Sequence, residues 1–439
     1  MNRIDNRANS ELRPTTITID FMKTASGSCL IETGNTRVIC TASVEENVPP
    51  FLRNSGKGWV TAEYAMLPAS TGRRKQRDGL KKDGRSVEIQ RLIGRSLRQA
   101  VDLTKLGERT ITLDCDVLEA DGGTRTASIT GAYVALVLAV DALCKQGILT
   151  ENPIIHQVAA ISAGIVENEA MLDLCYHEDS KALTDMNVVM TDEGTFIELQ
   201  GTGEGRAFSN IELSQILAFG RKGVRALMRA QRKALQGRGD ALLPKPTVVV
   251  ASGNAHKIEE ISALLGGAYR LLPMNQVGFC VDIVENGATF EENACIKAET
   301  VMQAVGLPVL ADDSGICVEA LQGAPGIYSA RYAGKHGDDA SNNQKLLAEM
   351  ENVSNRTCSF QCAMALAMPG EATQCVVGEC KGTLLRNYQG DGGFGYDPLF
   401  EVTTGISFAQ LSQTEKNAIS HRGNASRAMH ELLQEAMGI

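Results

Sequence analysis

Two adjacent carboxylates follow an apolar stretch in the segment GLPVLADDSGICVEAL. The apolar residues predict a strand that delivers Asp312 and Asp313 into a Ser-Gly turn, with the two side chains on opposite sides. One of them is then free to bind Mg²⁺ or to activate water, and Glu285 in VENGATF can supply a second metal ligand. Adjacent acids at a strand end also form simple turns. The pattern alone leaves a catalytic pair and a turn both open.

A phosphate cradle is predicted upstream of these acids. The segment TVVVASGNAHKIEEISALL reads as a buried strand, a tight Ser-Gly-Asn turn and an amphipathic helix, with Ser252, Asn254 and Lys257 as donors. The segment does not carry the Walker pattern G-x-x-x-x-G-K-[ST]. Ordinary capping of the helix explains the turn equally well.

Aromatic and donor side chains that suit a nucleobase lie further along the second half. GGFGYDP combines glycine flexibility with Phe394 and Tyr396, whose rings can stack on a base, and SHRGNA supplies His421 and Arg422 as donors. Buried donors favour the 6-oxo group of a purine over the amino group of adenine. Taken alone, Phe394 is more typical of core packing.

A basic loop stands in the first half at residues 73–85, RRKQRDGLKKDGR, with seven basic residues against two Asp. Such a run is most often a solvated surface loop. The segment DGGTRTASITGAYVAL shifts the interpretation, because it predicts a glycine turn that opens a helix and aims backbone N–H groups at an anion. Arg125 in that turn adds a fork suited to phosphate.

A third segment of the first half, YHEDSKALTDMNVVM, places Asp179 near a turn and Asp185 at the head of an apolar strand. Carboxylates there suit a hard divalent cation that bridges phosphate oxygens. An Asx-turn and a strand-edge carboxylate explain them as well. Anion donors and metal-type acids in one domain together indicate phosphoryl-group chemistry.

The elements that must position these residues fall into two domains. A chain of 439 residues exceeds the roughly 250 to 300 residues at which one hydrophobic core stops growing. PTTITID near residue 15 and PTVVVASGN from Pro246 each read as the opening of a domain, and a basic helical stretch ends in GRGDALLPKP before the second. We place the linker at residues 239–246. Short strands mixed with longer helical patterns predict α/β and α+β folds.

Composition narrows the function classes. Apolar residues at 43% and charged residues at 22% are ordinary globular values. The net charge of −9 argues against a protein that coats polyanions, so any phosphate site must be a local basic patch. The apolar run 132–140 is too short to span a bilayer and the start has no signal-peptide core, so we expect a cytoplasmic protein with no membrane partner. Twelve cysteines without a C-x-x-C pair predict buried free thiols.

The segments GWVTAEYAMLP, DGRSVEIQRLIGRSLR, TLDCDVLEADGGTRTASITGA and TDMNVVMT resemble ribonuclease PH, and the resemblance covers residues 1–238. It implies paired β-α-β-β-α-type lobes, a hexameric ring and phosphorolysis of RNA 3′ ends, notably those of tRNA precursors. Inorganic phosphate would be the co-substrate, and nucleoside diphosphates would be released. Leu183 departs from the family, which usually carries Glu there, and this places the metal affinity of the first half in question.

The ribonuclease PH resemblance also implies roles for individual residues. Asp179 and Asp185 would support a divalent metal or the leaving oxygen, and the basic loop would follow the RNA backbone. Phosphate is a weak nucleophile, so most of the catalysis must come from holding it in line and neutralising charge. The residues that would bind the attacking phosphate are Arg85, Gly123, Thr124 and Arg125.

The motifs SGNAHK, TFEENACIKA, ADDSGICVEALQGAPGIYSARYAG, GGFGYDPLF and EKNAISHRG resemble the inosine and xanthosine triphosphate pyrophosphatase family over residues 247–439. The resemblance implies a two-lobed α/β fold, a homodimer, and hydrolysis of ITP, dITP and XTP to the monophosphate and pyrophosphate with Mg²⁺. Glu285 and Asp313 would bind the metal, and Asp313 would accept the proton of the attacking water. The residues that would contact the nucleotide are Ser252, Gly253, Asn254, Ala255, His256, Lys257, Ser314, Phe394, Gly395, Tyr396, Asp397, Lys416, His421 and Arg422.

Other functions stay open at this point. The first half could be a catalytically weak RNA-binding ring that carries an active pyrophosphatase, and the second half could be a sensor that holds triphosphates without turnover. Arg85 and Arg125 are both present, as are the acids of the second half. Intact sets of site residues favour two active enzymes.

Overall fold

The computed structural model of the protein describes residues 3–77, 83–402 and 405–438. The chain divides between Pro244 and Lys245 into two compact units, called unit 1 and unit 2. A short 3₁₀ turn, Asp240–Leu242, lies within the segment predicted as a linker. That segment is therefore partly structured.

Unit 1 is built from short strands and a few longer helices. Its strands are β1 (Thr15–Ile19), β2 (Gly27–Thr33), β3 (Thr36–Glu45), β4 (Trp59–Met66), β5 (Thr110–Glu119), β6 (Val158–Val166), β7 (Glu169–Leu172), β8 (Thr184–Thr191) and β9 (Phe196–Gly203). Its helices are α1 (Gly84–Arg98), α2 (Leu103–Leu106), α3 (Thr124–Lys145), α4 (Tyr176–Asp179) and α5 (Asn210–Leu235). Two sheets organise them, a five-stranded one in the order β1-β2-β3-β5-β4 and a four-stranded one in the order β7-β6-β8-β9.

Helix α3 joins the two sheets of unit 1. It packs against β2, β3 and β5 of the first sheet and against β6 of the second. Its Ala, Val and Leu side chains are buried all round, as expected of a helix enclosed by other elements. The helix runs for 22 residues, well beyond the apolar run 132–140, and by length and composition it could cross a membrane; 83% of its most apolar window is buried inside the protein.

Unit 2 is an α/β unit. Its strands are β10 (Thr247–Val250), β11 (Arg270–Pro273), β12 (Val309–Val318), β13 (Thr357–Ala367), β14 (Gln374–Leu384), β15 (Phe400–Val402) and β16 (Ile406–Ser407). Its helices are α6 (Ala255–Leu265), α7 (Phe290–Val305), α8 (Asp339–Glu349), α9 (Gln413–Ile419) and α10 (His421–Met437). The strands form one sheet in the order β11-β10-β12-β13-β14-β15-β16, in which β10 pairs in parallel with β11 and β12.

Helices cover both faces of the unit 2 sheet. Val248 and Val250 of β10 face a core formed with α6 and α10, whereas Val249 and Ala251 face a core formed with α7. This period-2 alternation between two buried faces explains the unbroken apolar run TVVVA. The predicted mixture of α/β and α+β units is confirmed.

Strand β12 corrects one local prediction. Ser314 and Gly315 do not form a turn, because β12 continues in register with β13 as far as Val318. A Cβ atom at Gly315 would lie 2.3 Å from Ser329 Oγ and 2.5 Å from the carbonyl oxygen of Gly326. Glycine at this position allows the next segment to pack directly on the strand.

The thiols follow the prediction. All twelve cysteines are free, and seven of them are buried. Cys280 and Cys375 are the exposed exceptions.

Candidate active sites

The phosphate-binding turn of unit 1 lies where β5 gives way to α3. Gly122 and Gly123 have φ of +77° and +66°, a left-handed conformation that favours glycine. A Cβ atom at Gly122 would lie 2.5 Å from the carbonyl oxygen of Leu174, so the turn packs backbone to backbone on the segment before α4. Helix α3 begins at Thr124, whose hydroxyl lies 2.9 Å from Tyr64 Oη. The positive end of this helix therefore faces the cavity beside the turn.

That cavity, of about 410 Å³, brings together all the residues predicted for the first half. They come from α1, the turn before α3, α4 and the start of β8. Other lining residues were not predicted, and Glu204 adds a third carboxylate. The predicted residues that line it are Arg85, Gly123, Thr124, Arg125, Asp179 and Asp185.

The arginines of this cavity have weak local partners. Arg125 donates to Gln200 Oε1 at 2.6 Å and lies 3.5 Å from Glu88 Oε1, on a side chain that is half exposed. The backbone N–H of Arg85 donates to Asp83 at the start of α1, which leaves its guanidinium out of the cap. Both cations can therefore turn toward an anion in the cavity.

Burial and neighbouring negative charges raise the pKa values of the carboxylates in this cavity. Burial, followed by the charge of Asp179, raises the pKa of Asp185 to about 6. Burial, followed by the charge of Glu204, raises the pKa of Asp179. Among the described residues, Asp185 Oδ1 is buried without a hydrogen-bond partner. The cluster would be stabilised by a further cation or a proton.

Leu183 and the basic loop qualify the sequence predictions for unit 1. Leu183 is partly buried among apolar neighbours, and its carbonyl oxygen accepts from the N–H of Glu204. Residues 78–82 of the basic loop lie outside the described residues, so the role given to that part of the loop stays a prediction. In the described part, Lys75 forms an ion pair with Asp83 at 3.0 Å.

In unit 2 the predicted Ser-Gly-Asn turn leads from β10 into α6. Asn254 caps α6, because its side chain accepts from the backbone N–H groups of His256 and Lys257 at 2.9 and 3.3 Å. Lys257 reaches back to Asp312 Oδ2 at 3.1 Å. The turn is thus both a helix cap and a cation-bearing wall of the site.

Two adjoining cavities, of about 830 and 110 Å³, hold most of the predicted unit 2 residues. They share Asn254, Ser314 and His336, so they form one continuous cleft. Ala255 and His256 do not line either cavity. The predicted residues in the larger cavity are Ser252, Gly253, Asn254, Lys257, Glu285, Asp313 and Ser314. Those in the smaller cavity are Asn254, Ser314, Phe394, Gly395, Tyr396, Asp397, Lys416, His421 and Arg422.

Asp312 and Asp313 lie on opposite sides of β12, as predicted. Asp313 accepts from Lys297 and from Asn293 of α7, both at 3.1 Å. Lys297 also contacts Glu285 Oε2 at 3.1 Å, so one ammonium serves two carboxylates. Burial raises the pKa of Asp313 despite this cation. A raised pKa brings a carboxylate closer to the range in which it can accept a proton during catalysis.

The acids of the larger cavity fit a divalent cation. Glu285 and Asp313 share a single lysine, and Asp282 also lines this cavity, which leaves an excess of carboxylate. Mg²⁺ is commonly held by one or two carboxylates together with substrate phosphates. Among the described residues, no group of three or more His, Cys, Asp or Glu side chains forms a metal cluster. Oxygen ligands from two side chains suit that mode of binding.

A buried ion-pair network lies behind the smaller cavity. Arg422 contacts Glu260, Asp312 Oδ2 at 3.1 Å and Ser314 Oγ at 2.8 Å. Lys416 donates to Glu260 at 2.8 Å and to Asp397 at 2.7 Å. Burial opposes ionisation of Asp312 and Glu260, but nearby cations outweigh it and hold both pKa values low. For Asp312 these are Lys257 and Arg422, and for Glu260 they are Arg422 and Lys416. Lys416 and Arg422 are thus held mainly by protein carboxylates rather than left free as substrate donors.

The aromatic residues of the smaller cavity divide into two roles. Phe394 stacks on His256 at 5.5 Å, with Lys416 4.9 Å from its ring. Tyr396 does not offer its ring for stacking, because it is buried in the core and its hydroxyl donates to the carbonyl oxygen of Ser329. Burial and nearby cations hold the pKa of His421 far below its usual range, so this imidazole is neutral at physiological pH. Of the two predicted rings, Phe394 therefore remains the candidate for base stacking.

Comparison with known proteins follows the same division of the chain. Residues 11–140 and 156–223 match domains 1 and 2 of the 3′ exoribonuclease family, and residues 248–432 match the Ham1 family. A ribonuclease PH of Synechococcus sp. (strain JA-2-3B'a(2-13)) is 56% identical over 236 residues, which cover 53% of this chain and 97% of that protein. The chain is a fusion whose unit 1 belongs to the ribonuclease PH family and whose unit 2 belongs to the Ham1 family.

Solved structures add relatives of the Ham1 unit. A HAM1 protein from Coxiella burnetii is 42% identical and covers 43% of this chain and 98% of its own, with a TM-score of 0.41. A nucleoside-triphosphatase described as a dITP/XTP pyrophosphatase, from Mycobacterium abscessus, is 40% identical and covers 43% of this chain and 99% of its own, with a TM-score of 0.37.

Several residues that shape the two sites were not predicted from the sequence. In unit 1 this is Glu204, and in the Ham1 unit these are Lys297, Asn293 and Glu260, which hold the predicted acids and cations in place. The motif TFEENACIKA does carry a signal, because helical spacing places Asn293 and Lys297 on one face, four residues apart. Glu260 carries no such signal, because one acid on an amphipathic helix usually faces solvent.

Proposed function

We propose that the ribonuclease PH unit is a phosphate-dependent 3′ to 5′ exoribonuclease that trims RNA 3′ ends, including those of tRNA precursors. The observation that carries this proposal is the meeting of Arg85, Arg125 and the glycine turn before α3 with Asp179 and Asp185 in one cavity. A cavity with anion donors on one side and carboxylates on the other suits phosphate attack on a phosphodiester.

The cations of that cavity hold inorganic phosphate in line with the terminal phosphodiester. A phosphate oxygen bonds to the phosphorus while the bond to the 3′ oxygen of the preceding nucleotide breaks. That oxygen leaves with a proton, which Asp185 in its protonated form can donate because its pKa is raised to about 6. Asp179 and Asp185 are also the residues that would hold a divalent metal, which when bound would neutralise charge on the leaving oxygen. The products are a nucleoside diphosphate and an RNA shorter by one nucleotide.

Phosphate dependence tests this function. Intact protein incubated with an RNA 3′ end should release nucleoside diphosphates only when phosphate is present. Arg125→Ala should raise the apparent KM for phosphate about 10- to 100-fold, the cost of one charged hydrogen-bonding group. An unchanged KM would remove Arg125 from the phosphate site. Tight RNA binding without any release would instead support the alternative of an RNA-binding scaffold.

We propose that the Ham1 unit hydrolyses ITP, dITP and XTP to the monophosphate and pyrophosphate. The observation that carries this proposal is the continuous cleft that joins a cation-walled turn and the Asp313 acid group to a pocket containing Phe394. Such a cleft fits a triphosphate at one end and a base at the other.

Asp313 accepts the proton of a water that attacks the α-phosphorus, and the bond between the α-phosphorus and its bridging oxygen breaks. Lys257 and the turn before α6 hold the phosphates, while Phe394 stacks on the base. Glu285 and Asp313 are the residues that would hold Mg²⁺, which when bound neutralises charge on the pyrophosphate leaving group. Pyrophosphate release from ITP, measured beside ATP, tests this proposal, and equal rates with both would argue against base selection.

We further propose that the protein works in the cytoplasm as a homo-oligomer, with a hexameric ring formed by unit 1 and dimer contacts made by unit 2. The RNA 3′ ends and purine nucleoside triphosphates on which these units act support that location. The mass of the intact particle in solution tests the assembly. A monomer that retains full phosphorolysis would contradict the ring.

A further inference from the structure

Three arginines near the start of unit 1 are buried although they carry charge. Arg3, Arg7 and Arg13 are 3%, 9% and 4% exposed. They meet Asp173 and Glu178, which are 1% and 5% exposed. We call these five residues the arginine cluster. Burying charged groups costs desolvation free energy unless they are closely paired, so a buried cluster of this size points to a specific role.

Arg13 reaches the phosphate-binding turn from the cluster. Its guanidinium donates to both oxygens of Asp173, at 3.0 and 2.6 Å, and to the carbonyl oxygen of Asp121 at 2.6 Å. Asp121 directly precedes the two glycines of the turn. A Cβ atom at Gly123 would lie 3.2 Å from Arg13 Nη2. Arg13 therefore supports the turn from behind.

Arg3 reaches the other side of the site. It forms a bidentate pair with Glu178, at 2.8 and 2.6 Å, and donates to the carbonyl oxygens of Leu172 and Asp173. Glu178 lies in α4 immediately before Asp179, whose carboxylate lines the cavity. Arg3 thereby fixes the short helix that presents Asp179.

The two sides are also joined to each other. The N–H of Tyr176, the first residue of α4, donates to Asp121 Oδ1 at 3.2 Å. Gly122 lies against the backbone between Leu174 and Tyr176, where a Cβ atom would come within 2.5 to 2.8 Å. The phosphate-binding turn, α4 and the arginine cluster thus pack together as one assembly. A shift of any part would change the distance between the phosphate donors and Asp179.

We propose that Arg3 and Arg13 are positioning residues for phosphorolysis, which hold the phosphate-binding turn and the α4 carboxylate at one fixed separation. This inference rests on the function proposed for unit 1. Neither arginine lines the cavity, so neither touches substrate. In-line attack depends on placement within fractions of an ångström, so the benefit of such bracing appears in kcat.

The cations of the cluster are balanced by acids. Arg7 is paired with Asp5 at 2.5 Å, so the three guanidinium groups meet three carboxylates in all. Arg13 still acts on the cavity: burial, followed by the charge of Glu204, raises the pKa of Asp179, and Arg13 is among the cations that oppose this rise.

Arg3→Met, Arg13→Met and Arg7→Met, each in the full chain, test the proposal. Arg7 is the matched control. It is buried in the same cluster, but its close ion pair is with Asp5 at 2.5 Å, away from the turn and α4. It donates to the carbonyl oxygens of Glu11 and Asp173 and comes only within 3.7 and 3.8 Å of the carboxylates of Asp173 and Glu178. The readouts are kcat and the apparent KM for phosphate, with Trp59 fluorescence reporting the folded fraction of unit 1 and ITP hydrolysis on the same sample reporting intact protein.

Arg3→Met and Arg13→Met should lower kcat per folded protein by about 10- to 100-fold, and Arg7→Met by less than about 3-fold. Equal losses in all three variants would show a purely structural cluster and overturn the proposal, as would three unchanged kcat values. Where Arg13→Met fails to fold, Arg13→Lys takes its place. An ammonium cannot reproduce the three hydrogen bonds that the guanidinium fork makes in fixed geometry to Asp121 and Asp173, so kcat should still fall.

A folded Arg13→Lys protein with wild-type kcat would overturn the proposal. Arg125→Ala, measured in parallel, separates this outcome from failure of the proposed function. If Arg125→Ala raises the KM for phosphate while the cluster variants behave as wild type, only the positioning role is wrong. If the wild-type protein releases no nucleoside diphosphate, the proposed function fails and the inference fails with it.

Discussion

Around the smaller cavity of the Ham1 unit the charged side chains are paired with one another inside the protein, whereas in the cavity of the ribonuclease PH unit several stand unbalanced. Arg422 and Lys416 are almost fully buried against Glu260, Asp312 and Asp397. Arg125 lies 3.5 Å from the half-exposed Glu88, and Asp185 keeps a raised pKa.

The difference reflects what each site has to hold. A cleft that selects a base benefits from side chains fixed in advance, since a pocket of rigid shape discriminates between bases. A cavity that must take up inorganic phosphate and release a diphosphate at every turnover benefits from cations that are free to engage an anion. Fixed side chains in the Ham1 unit require charged groups to be buried, which costs desolvation energy. Unpaired charges in the ribonuclease PH unit lower the local stability.

Asp313→Asn should have the largest effect and should be confined to one unit. We expect ITP hydrolysis to fall about 100- to 10,000-fold, because the proton acceptor is lost. Phosphorolysis by the same protein should be nearly unchanged, because its site lies in the other unit. Both rates can be measured on one sample. Equal loss of both activities would show that one composite site had been mistaken for two.

Glu260→Gln tests the paired network of the Ham1 unit. It removes the carboxylate that Arg422 and Lys416 share, and leaving buried cations without their partner should cost unit 2 about 3 to 5 kcal/mol in free energy of unfolding. Denaturant unfolding followed by loss of ITP hydrolysis measures it. Because the pKa of Glu260 is held low, this stabilisation is present above the unfolded-state pKa and is lost as the pH falls through the folded-state value. A cost below about 1 kcal/mol, typical of exposed pairs, would contradict the comparison.

Asp185→Asn tests the unbalanced site of the ribonuclease PH unit. The pKa of Asp185 is raised to about 6 from its usual 3.8, so the folded unit holds an extra proton between these values and loses stability as the pH rises through that window. The neutral variant should therefore gain about 1 to 3 kcal/mol in free energy of unfolding at pH 8 while phosphorolysis falls.

Trp59, the single tryptophan of the chain, lies in unit 1, so its fluorescence during urea unfolding reports this gain selectively. At pH 4 the two proteins should differ little. A gain that does not depend on pH would point to packing rather than to charge.

Glu88→Gln should have the smallest effect, and it is the counterpart of Glu260→Gln. Glu88 is half exposed and lies 3.5 Å from Arg125, so its removal should change the free energy of unfolding of unit 1 by less than about 1 kcal/mol. The apparent KM for phosphate should change little. A large destabilisation here would mean that unit 1 relies on pairing as much as unit 2 does.

Much of both sites could be predicted from sequence because glycine turns, paired acids and apolar strands have local signatures. The turn before α3 and the cap of α6 lie where the patterns place them, and Asp312 and Asp313 face opposite sides of β12. The prediction of a Ser-Gly turn is wrong. Glycine is required at Gly315 because the segment around Ser329 packs closely on the strand there, and no local sequence pattern reveals that contact.

Partners distant in sequence could not be predicted. Glu260 meets Lys416 and Arg422 across more than 150 residues, and Arg3 meets Glu178 across 175. Such pairs depend on how the chain returns on itself, whereas composition and spacing describe only neighbours. Tyr396 could not be assigned for a similar reason. An aromatic ring can stack on a base or pack in a hydrophobic core, and the local sequence does not distinguish the two.

Helix α3 has a consequence for how the protein is made. It is apolar enough to enter a lipid bilayer, and its shelter comes from strands on both sides of it in sequence. During synthesis the first sheet can cover one face, but β6 and α5 emerge later. Until they do, the ribosome presents a segment that resembles a membrane anchor to targeting factors and chaperones. Docking of β6 and α5 therefore buries this apolar segment as well as completing the active site.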